Sequence, residues 1–123
     1  EMLVHPAMSS QVNPIDICIL GGGDGFALRE VLKWNQVQTV DLFDYDKDIV
    51  DIFKYRYNSW NNDSFSSQKI HTQIQDVRDI PTTKQYDVVI VDLFDPNYLD
   101  SESKDVWTTL CLKLPFSKKQ VLL

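Results

Sequence analysis

No stretch of this sequence approaches the roughly 18 consecutive apolar residues that a membrane-spanning helix requires. No basic n-region followed by an apolar h-region marks a secretory signal. Cysteine is scarce, with two residues in a chain of 123. Cys18 lies in an apolar run and Cys111 between Leu110 and Leu112, so both read as buried, reduced thiols of an intracellular domain rather than a disulfide. No Cys/His set has the spacing of a zinc site, and no metal is expected. Basic residues are outnumbered, 12 Lys and Arg against 18 Asp and Glu, for a net charge of −6. A nucleic-acid binder normally shows a basic patch, so that class is set aside. An acidic balance does suit a cationic partner. Asn62-Asp63-Ser64 fits a glycosylation sequon, which without a secretory signal reads as chance. Glycine is nearly absent: all four residues fall between Gly21 and Gly25.

What is present reads as one domain with one core, since 43% of the residues are hydrophobic. "IDICIL" is a short apolar run that ends at the glycines. "FALREVLKW" pairs Ala27 with Val31 and Leu28 with Leu32 at helical spacing. "QTVDLFD" is a second strand. "KDIVDIFKYRY" predicts a helix with Ile49, Val50, Phe53 and Tyr57 on its apolar face. "NSWNNDSFSS" is polar and turn-rich, hence a loop. "KIHTQIQ" alternates, as a half-exposed edge strand does, whereas "YDVVIVD" is solidly apolar, as a strand covered on both faces is. "SESKDVWTTLCLKL" suits a helix capped by Ser101 or Ser103. "KKQVLL" begins a further strand. The order predicts a doubly wound α/β fold with a mostly parallel sheet, the first and fourth strands central and the third at an edge. The start at Glu1 and the incipient last strand lead to the expectation that residues 1–123 are a piece of a longer protein.

The glycine loop, "LGGGDGFALRE", sits at the turn from first strand to first helix, where such sheets bind nucleotides. Gly21, Gly23 and Gly25 spell G-x-G-x-G, but Phe26 stands where the dinucleotide fingerprint needs glycine. No Gly-Lys-Ser/Thr ending follows. Asp24 puts a carboxylate where a pyrophosphate would be repelled. The loop therefore suits a nucleoside with a cationic arm. The plain alternative is a tight turn with no ligand. Asp44, about 20 residues on at the end of the second strand, is the position from which an acid accepts from ribose hydroxyls. Asp46, Asp48 and Asp51 read as the solvated start of the next helix, where negative charge is favourable.

Together "EMLVHPAM", "ILGGGDGFALREVLKW", "VDLFDYDKDIV" and "YDVVIVDLFDP" resemble the polyamine aminopropyltransferases, the spermidine synthase family. The resemblance implies a Rossmann-like core of the S-adenosylmethionine-dependent methyltransferase type, preceded by a small β-domain and followed by closing strands outside this chain. It implies transfer of an aminopropyl group from decarboxylated S-adenosylmethionine to putrescine or a related amine. That molecule is a co-substrate, and no permanently bound cofactor is implied. By motif, the turn of Gly21, Gly22, Gly23 and Gly25 passes the nucleoside, and Asp24 binds the aminopropyl ammonium. Asp44 takes the ribose, Asp76 accepts from the adenine amino group and Val77 lines the adenine pocket. Asp92 handles the attacking amine, and Asp95 is the second acid of that motif. The resemblance also implies a cytoplasmic homodimer in the full-length protein. The "DLFDPN" wording is closest to a branch in which this domain can follow membrane helices, none of them within this chain. After Pro96 the family's Gly-Pro-Ala-like loop is replaced by "NYLDSESKDVW", with Trp107 where Tyr is common. The acceptor stays open.

The chemistry explains the acids. An alkyl ammonium has a pKa near ~10 and cannot attack carbon until it loses a proton. A carboxylate at a strand end can bind the diamine and take that proton. An acid facing the side arm repels the carboxylate of ordinary S-adenosylmethionine and attracts the decarboxylated form. Two rival readings remain: a methyltransferase on the same fold, and a non-catalytic relative. His71 reads as a surface residue, His5 has no partner that the sequence names, and Trp34, Trp60 and Trp107 read as packing.

Overall fold

The computed structural model describes residues 4–11, 13–81, 83–93 and, as backbone alone, 117–122. The helix expected around residues 101–114, together with Asp95, Trp107 and Cys111, lies outside the described residues.

Among the described residues, five strands form one parallel sheet. They are β1 (Asp16–Gly21), β2 (Thr39–Asp44), β3 (Ile70–Ile74), β4 (Tyr86–Asp92) and β5 (Ser117–Leu122). Their order is β3-β2-β1-β4-β5, with every neighbouring pair parallel. The expected placement holds: β1 and β4 are interior, and the alternating β3 is an edge. Period-two burial explains the two solid runs. In β1, Ile17 and Ile19 face one core, and Cys18 and Leu20 the other. In β4, Val88 and Ile90 join the first core, and Val89 and Val91 the second.

The first core is covered by short helices. These are α1 (Val4–Ser9), α2 (Phe26–Val31) and α3 (Lys47–Asp51). They contribute Val4, Ala7, Met8, Ala27, Leu28, Val31 and Val50. No helix among the described residues is long and apolar enough to cross a membrane. The second core packs Val77 and Ile80, from the β3–β4 connection, against Phe43, Tyr86, Val89 and Val91. Burial pushes the Cys18 thiol pKa far above its ordinary value, so this cysteine stays protonated and inert.

The helix expected over residues 47–57 departs from the sequence reading. Asp46 caps α3, its carboxylate accepting from Asp48 N (3.1 Å) and Ile49 N (3.2 Å). At Ile52 the α-helix gives way to a π-helical turn, Ile52–Arg56. The wider turn carries Tyr57, which follows it, off the expected face. Val50 is buried and Phe53 packs partly against the core, while Tyr57 is 39% exposed; Ile49, which precedes the turn, is equally exposed. The polar stretch that follows is not a loose loop. It folds into two 3₁₀ turns, Asn58–Asn61 and Ser64–Ser66, that bury Asn61, Ser64 and Phe65.

Candidate functional site

Three predicted site segments meet at the carboxyl edge of the sheet. Strand order reverses between β1 and β4, which is where open α/β sheets take ligands. Gly21 ends β1 and stands beside Asp92 in the β1–β4 register. Its φ is +85°, and a Cβ there would lie 2.2 Å from the Asp92 carbonyl oxygen. Only glycine lets the strand turn at that point. The chain then closes a tight turn, Gly25 N donating to Gly22 O at 2.9 Å. A Cβ at Gly22 would lie 3.3 Å from Asp92 Oδ2, so the Asp92 carboxylate faces this turn.

Asp44 ends β2 and ties the loop down. Its Oδ2 accepts from Gly23 N at 2.9 Å, and its Oδ1 accepts from Asp46 N at 2.9 Å. Asp24 Oδ1 accepts from Phe26 N at 3.0 Å and so starts α2. The Asp24 carbonyl accepts from Asn61 Nδ2 at 2.9 Å. Asp92 is half-buried, and burial raises its pKa above the ordinary carboxylate value; the negative fields of Asp24 and Asp44 add to this. Asp92 therefore shares one electrostatic neighbourhood with Asp24 and Asp44, and its basicity is increased there.

The structure places the remaining predicted residues less simply. Asp76 follows β3 at the same edge. Its carboxylate is already held by Arg78, through Nε to Oδ1 (3.0 Å) and Nη2 to Oδ2 (2.6 Å). Val77 is 5% exposed and packs into the second core. Asp95 lies outside the described residues.

Asp41, which shares the word DLFD with Asp92, is no part of this edge. It sits inside β2 with its Oδ2 accepting from Tyr86 Oη (2.7 Å) and Lys84 Nζ (2.9 Å). The two DLFD words are thus out of register. Asp44 ends one strand and Asp92 ends another.

Two features escaped the sequence reading. His5 does have partners. Its Nδ1 accepts from Trp34 Nε1 at 3.1 Å, which leaves Nε2 to donate to Glu30 Oε2 at 2.9 Å. Glu30, 1% exposed, also takes Arg29 Nε (3.0 Å) and Lys33 Nζ (2.7 Å). Burial alone would raise its pKa, but the hydrogen bonds from Lys33, His5 and Arg29 outweigh it and bring the value down to about 2. Trp34 is therefore a donor as well as packing, and Trp60 is largely exposed. The second feature is Asn61, fully buried beneath the glycine loop. Its setting in a polar run carried no signal.

Parallel strands in this order, with a glycine turn at the switch point, define a Rossmann-like fold. Residues 1–114 match the family model described as "Spermine/spermidine synthase domain". The chain belongs to that family. It is 41% identical over 100 residues to polyamine aminopropyltransferase 2 of Bacillus anthracis, covering 78% of this chain and 28% of that protein. It is 40% identical over 110 residues to the polyamine aminopropyltransferase of Sulfurisphaera tokodaii, covering 88% and 36%. Among solved structures, it superposes on a spermidine synthase in complex with the transition-state analogue AdoDATO with a TM-score of 0.71 at 30% identity, covering 92% of this chain and 40% of the other. The spermidine synthase from Thermotoga maritima gives 0.70 at 30% identity, covering 92% and 38%. The chain thus spans well under half the length of these relatives.

Proposed function

We propose that the full-length protein transfers the aminopropyl group of decarboxylated S-adenosylmethionine to a polyamine acceptor such as putrescine, giving spermidine and methylthioadenosine. The observation that carries this reading is Asp92: a half-buried carboxylate of raised basicity, facing a glycine turn, beside two further acids. Nothing in a phosphate site would favour three carboxylates, whereas a dication and a sulfonium with an ammonium arm would. The likeness to a spermidine synthase bound to a transition-state analogue supports it.

Asp92 orients one amine of the acceptor and accepts or relays its proton. The nitrogen lone pair forms the new C–N bond in line with the breaking C–S bond. The bonding pair goes to sulfur, and the sulfonium leaves as a neutral thioether that needs no acid. Asp24 pairs with the ammonium of the transferred arm and disfavours the carboxylate of ordinary S-adenosylmethionine. Asp44 keeps acceptor capacity for the ribose hydroxyls, since a carboxylate has about four lone-pair sites and two are used here. Asp76 receives the adenine amino group alongside Arg78, with Val77 beneath the base. Asp95 assists Asp92. Residues 1–123 form the nucleoside-binding core, with part of the acceptor contacts supplied from outside them. The full-length protein works as a cytoplasmic homodimer on small-molecule substrates, with no permanently bound cofactor.

Calorimetry on the full-length protein tests the ligand assignment. Decarboxylated S-adenosylmethionine and methylthioadenosine should bind, the first more tightly than S-adenosylmethionine. A preference for S-adenosylmethionine would move the assignment to methyl transfer.

A further inference from the structure

We propose that Asn61 is a positioning residue for Asp24, and through it sets the discrimination between decarboxylated and ordinary S-adenosylmethionine. The inference rests on the aminopropyl-transfer reading above.

The Asn61 side chain is fully buried and committed on every side. Nδ2 donates to the Asp24 carbonyl (2.9 Å) and the Phe53 carbonyl (3.1 Å), and Oδ1 accepts from Ser64 N (3.2 Å). A side-chain amide has two N–H donors, and both are used. One of these acceptors exists because of the π-helical turn. Tyr57 N donates to Ile52 O at 2.9 Å, five residues back, rather than to Phe53 O. The Phe53 carbonyl is thereby left for Asn61. The contact is also tight from the loop side. Gly25 has φ +80°, and a Cβ there would sit 2.6 Å from Asn61 Nδ2. A second tie runs in parallel, since Arg29 Nη1 donates to Trp60 O at 2.8 Å while Arg29 N donates to Gly25 O at 2.9 Å.

The consequence is mechanical. Asp24 is held at its carbonyl by Asn61 and at its carboxylate by Phe26 N. Those two bonds fix where the charge of Asp24 points. Removing the first takes away that donor from the part-buried Asp24 carbonyl and frees the loop to shift. A shift of ~1 Å in a positioning group can cost ~10²-fold.

The test uses the full-length protein and four variants: Asn61→Asp, Asn61→Ser, Gly25→Ala and Val37→Ala. Asn61→Asp keeps the shape but turns a carboxylate toward two carbonyls. Gly25→Ala pushes on the same contact from the other side. Val37→Ala truncates a fully buried core residue outside the site and calibrates lost stability alone. In the first three, KM for decarboxylated S-adenosylmethionine should rise about tenfold or more, with KM for putrescine within about twofold. Their preference for the decarboxylated form over S-adenosylmethionine, read by calorimetry, should fall. Val37→Ala should lower Tm and leave the preference intact. Should Asn61→Asp fail to fold, Asn61→Ser decides, with Gly25→Ala as a supporting perturbation of the same contact. Wild-type preference in those variants, or a change that only tracks Tm as in Val37→Ala, overturns the positioning role. A wild-type protein without aminopropyl transfer overturns both readings; wild-type turnover with unaffected variants overturns this one alone.

Discussion

Asp92 is half-buried and Glu30 fully buried, yet folding shifts their proton affinities in opposite directions. Glu30 is surrounded by donors, so its carboxylate is favoured in the fold and its pKa falls from 4.5 to about 2. Its contribution to stability is complete above pH 4.5 and is lost as pH falls from there toward 2. Glu30→Gln should cost about 1–3 kcal/mol in urea unfolding of the full-length protein, because bonds to charged donors are lost while Lys33 and Arg29 remain partly solvated. That cost should shrink in acid. Asp92 behaves the other way. Burial and two neighbouring acids raise its pKa above the ordinary 3.8, so the fold holds its proton more tightly than the unfolded chain does. Stability is therefore lost as pH rises through and beyond 3.8. Asp92→Asn should raise Tm at pH 7, with the gain vanishing below pH 3.8, while turnover falls by ~10²–10⁴-fold. An unchanged Tm would show that Asp92 carries no stored repulsion. Most site acids were legible in the sequence as carboxylates following apolar runs or the glycine loop. The Glu30 cluster was not, because its members come from positions 5 and 29–34 and meet only when α1 docks on α2.

At the scale of elements, the strands and the helices α2 and α3 were readable, while α1 and the turns after α3 were not. An apolar run bounded by glycine or acid fixes a buried parallel strand, and β1 and β4 fall where those runs lie. The stretch from Lys47 to Ser67 defeated the reading for a physical reason. Periodicity arguments assume 3.6 residues per turn, and the π turn at Ile52 breaks that spacing. The polar letters that then suggest a loop instead satisfy one another: Asn61 with Ser64, and Asp63 with Ser66. The α3 cap is simpler to test. Asp46→Ala should cost about 0.5–2 kcal/mol of stability, measured by urea unfolding, since Asp48 N and Ile49 N lose their acceptor. Asp46 lies two residues past Asp44, so ligand affinity should also be measured; it should change little if the cap acts only on α3.

Across the whole molecule, the sheet is a frame that brings residues distant in sequence to one edge. Gly21, Asp44, Asp76 and Asp92 lie at or just past the ends of β1, β2, β3 and β4. A ligand with a cationic arm should relieve the repulsion that Asp24 and Asp44 exert on Asp92. Decarboxylated S-adenosylmethionine should then raise Tm of the full-length protein, and the rise should shrink as pH is lowered and Asp92 protonates. Product identity tests aminopropyl transfer by the full-length protein. Full-length protein is incubated with decarboxylated S-adenosylmethionine and putrescine, and the products are resolved by mass spectrometry. Spermidine and methylthioadenosine should appear in equal amounts, and neither should form with Asp92→Asn at a comparable rate. Methylated amine and S-adenosylhomocysteine from S-adenosylmethionine, with no spermidine, would contradict the account.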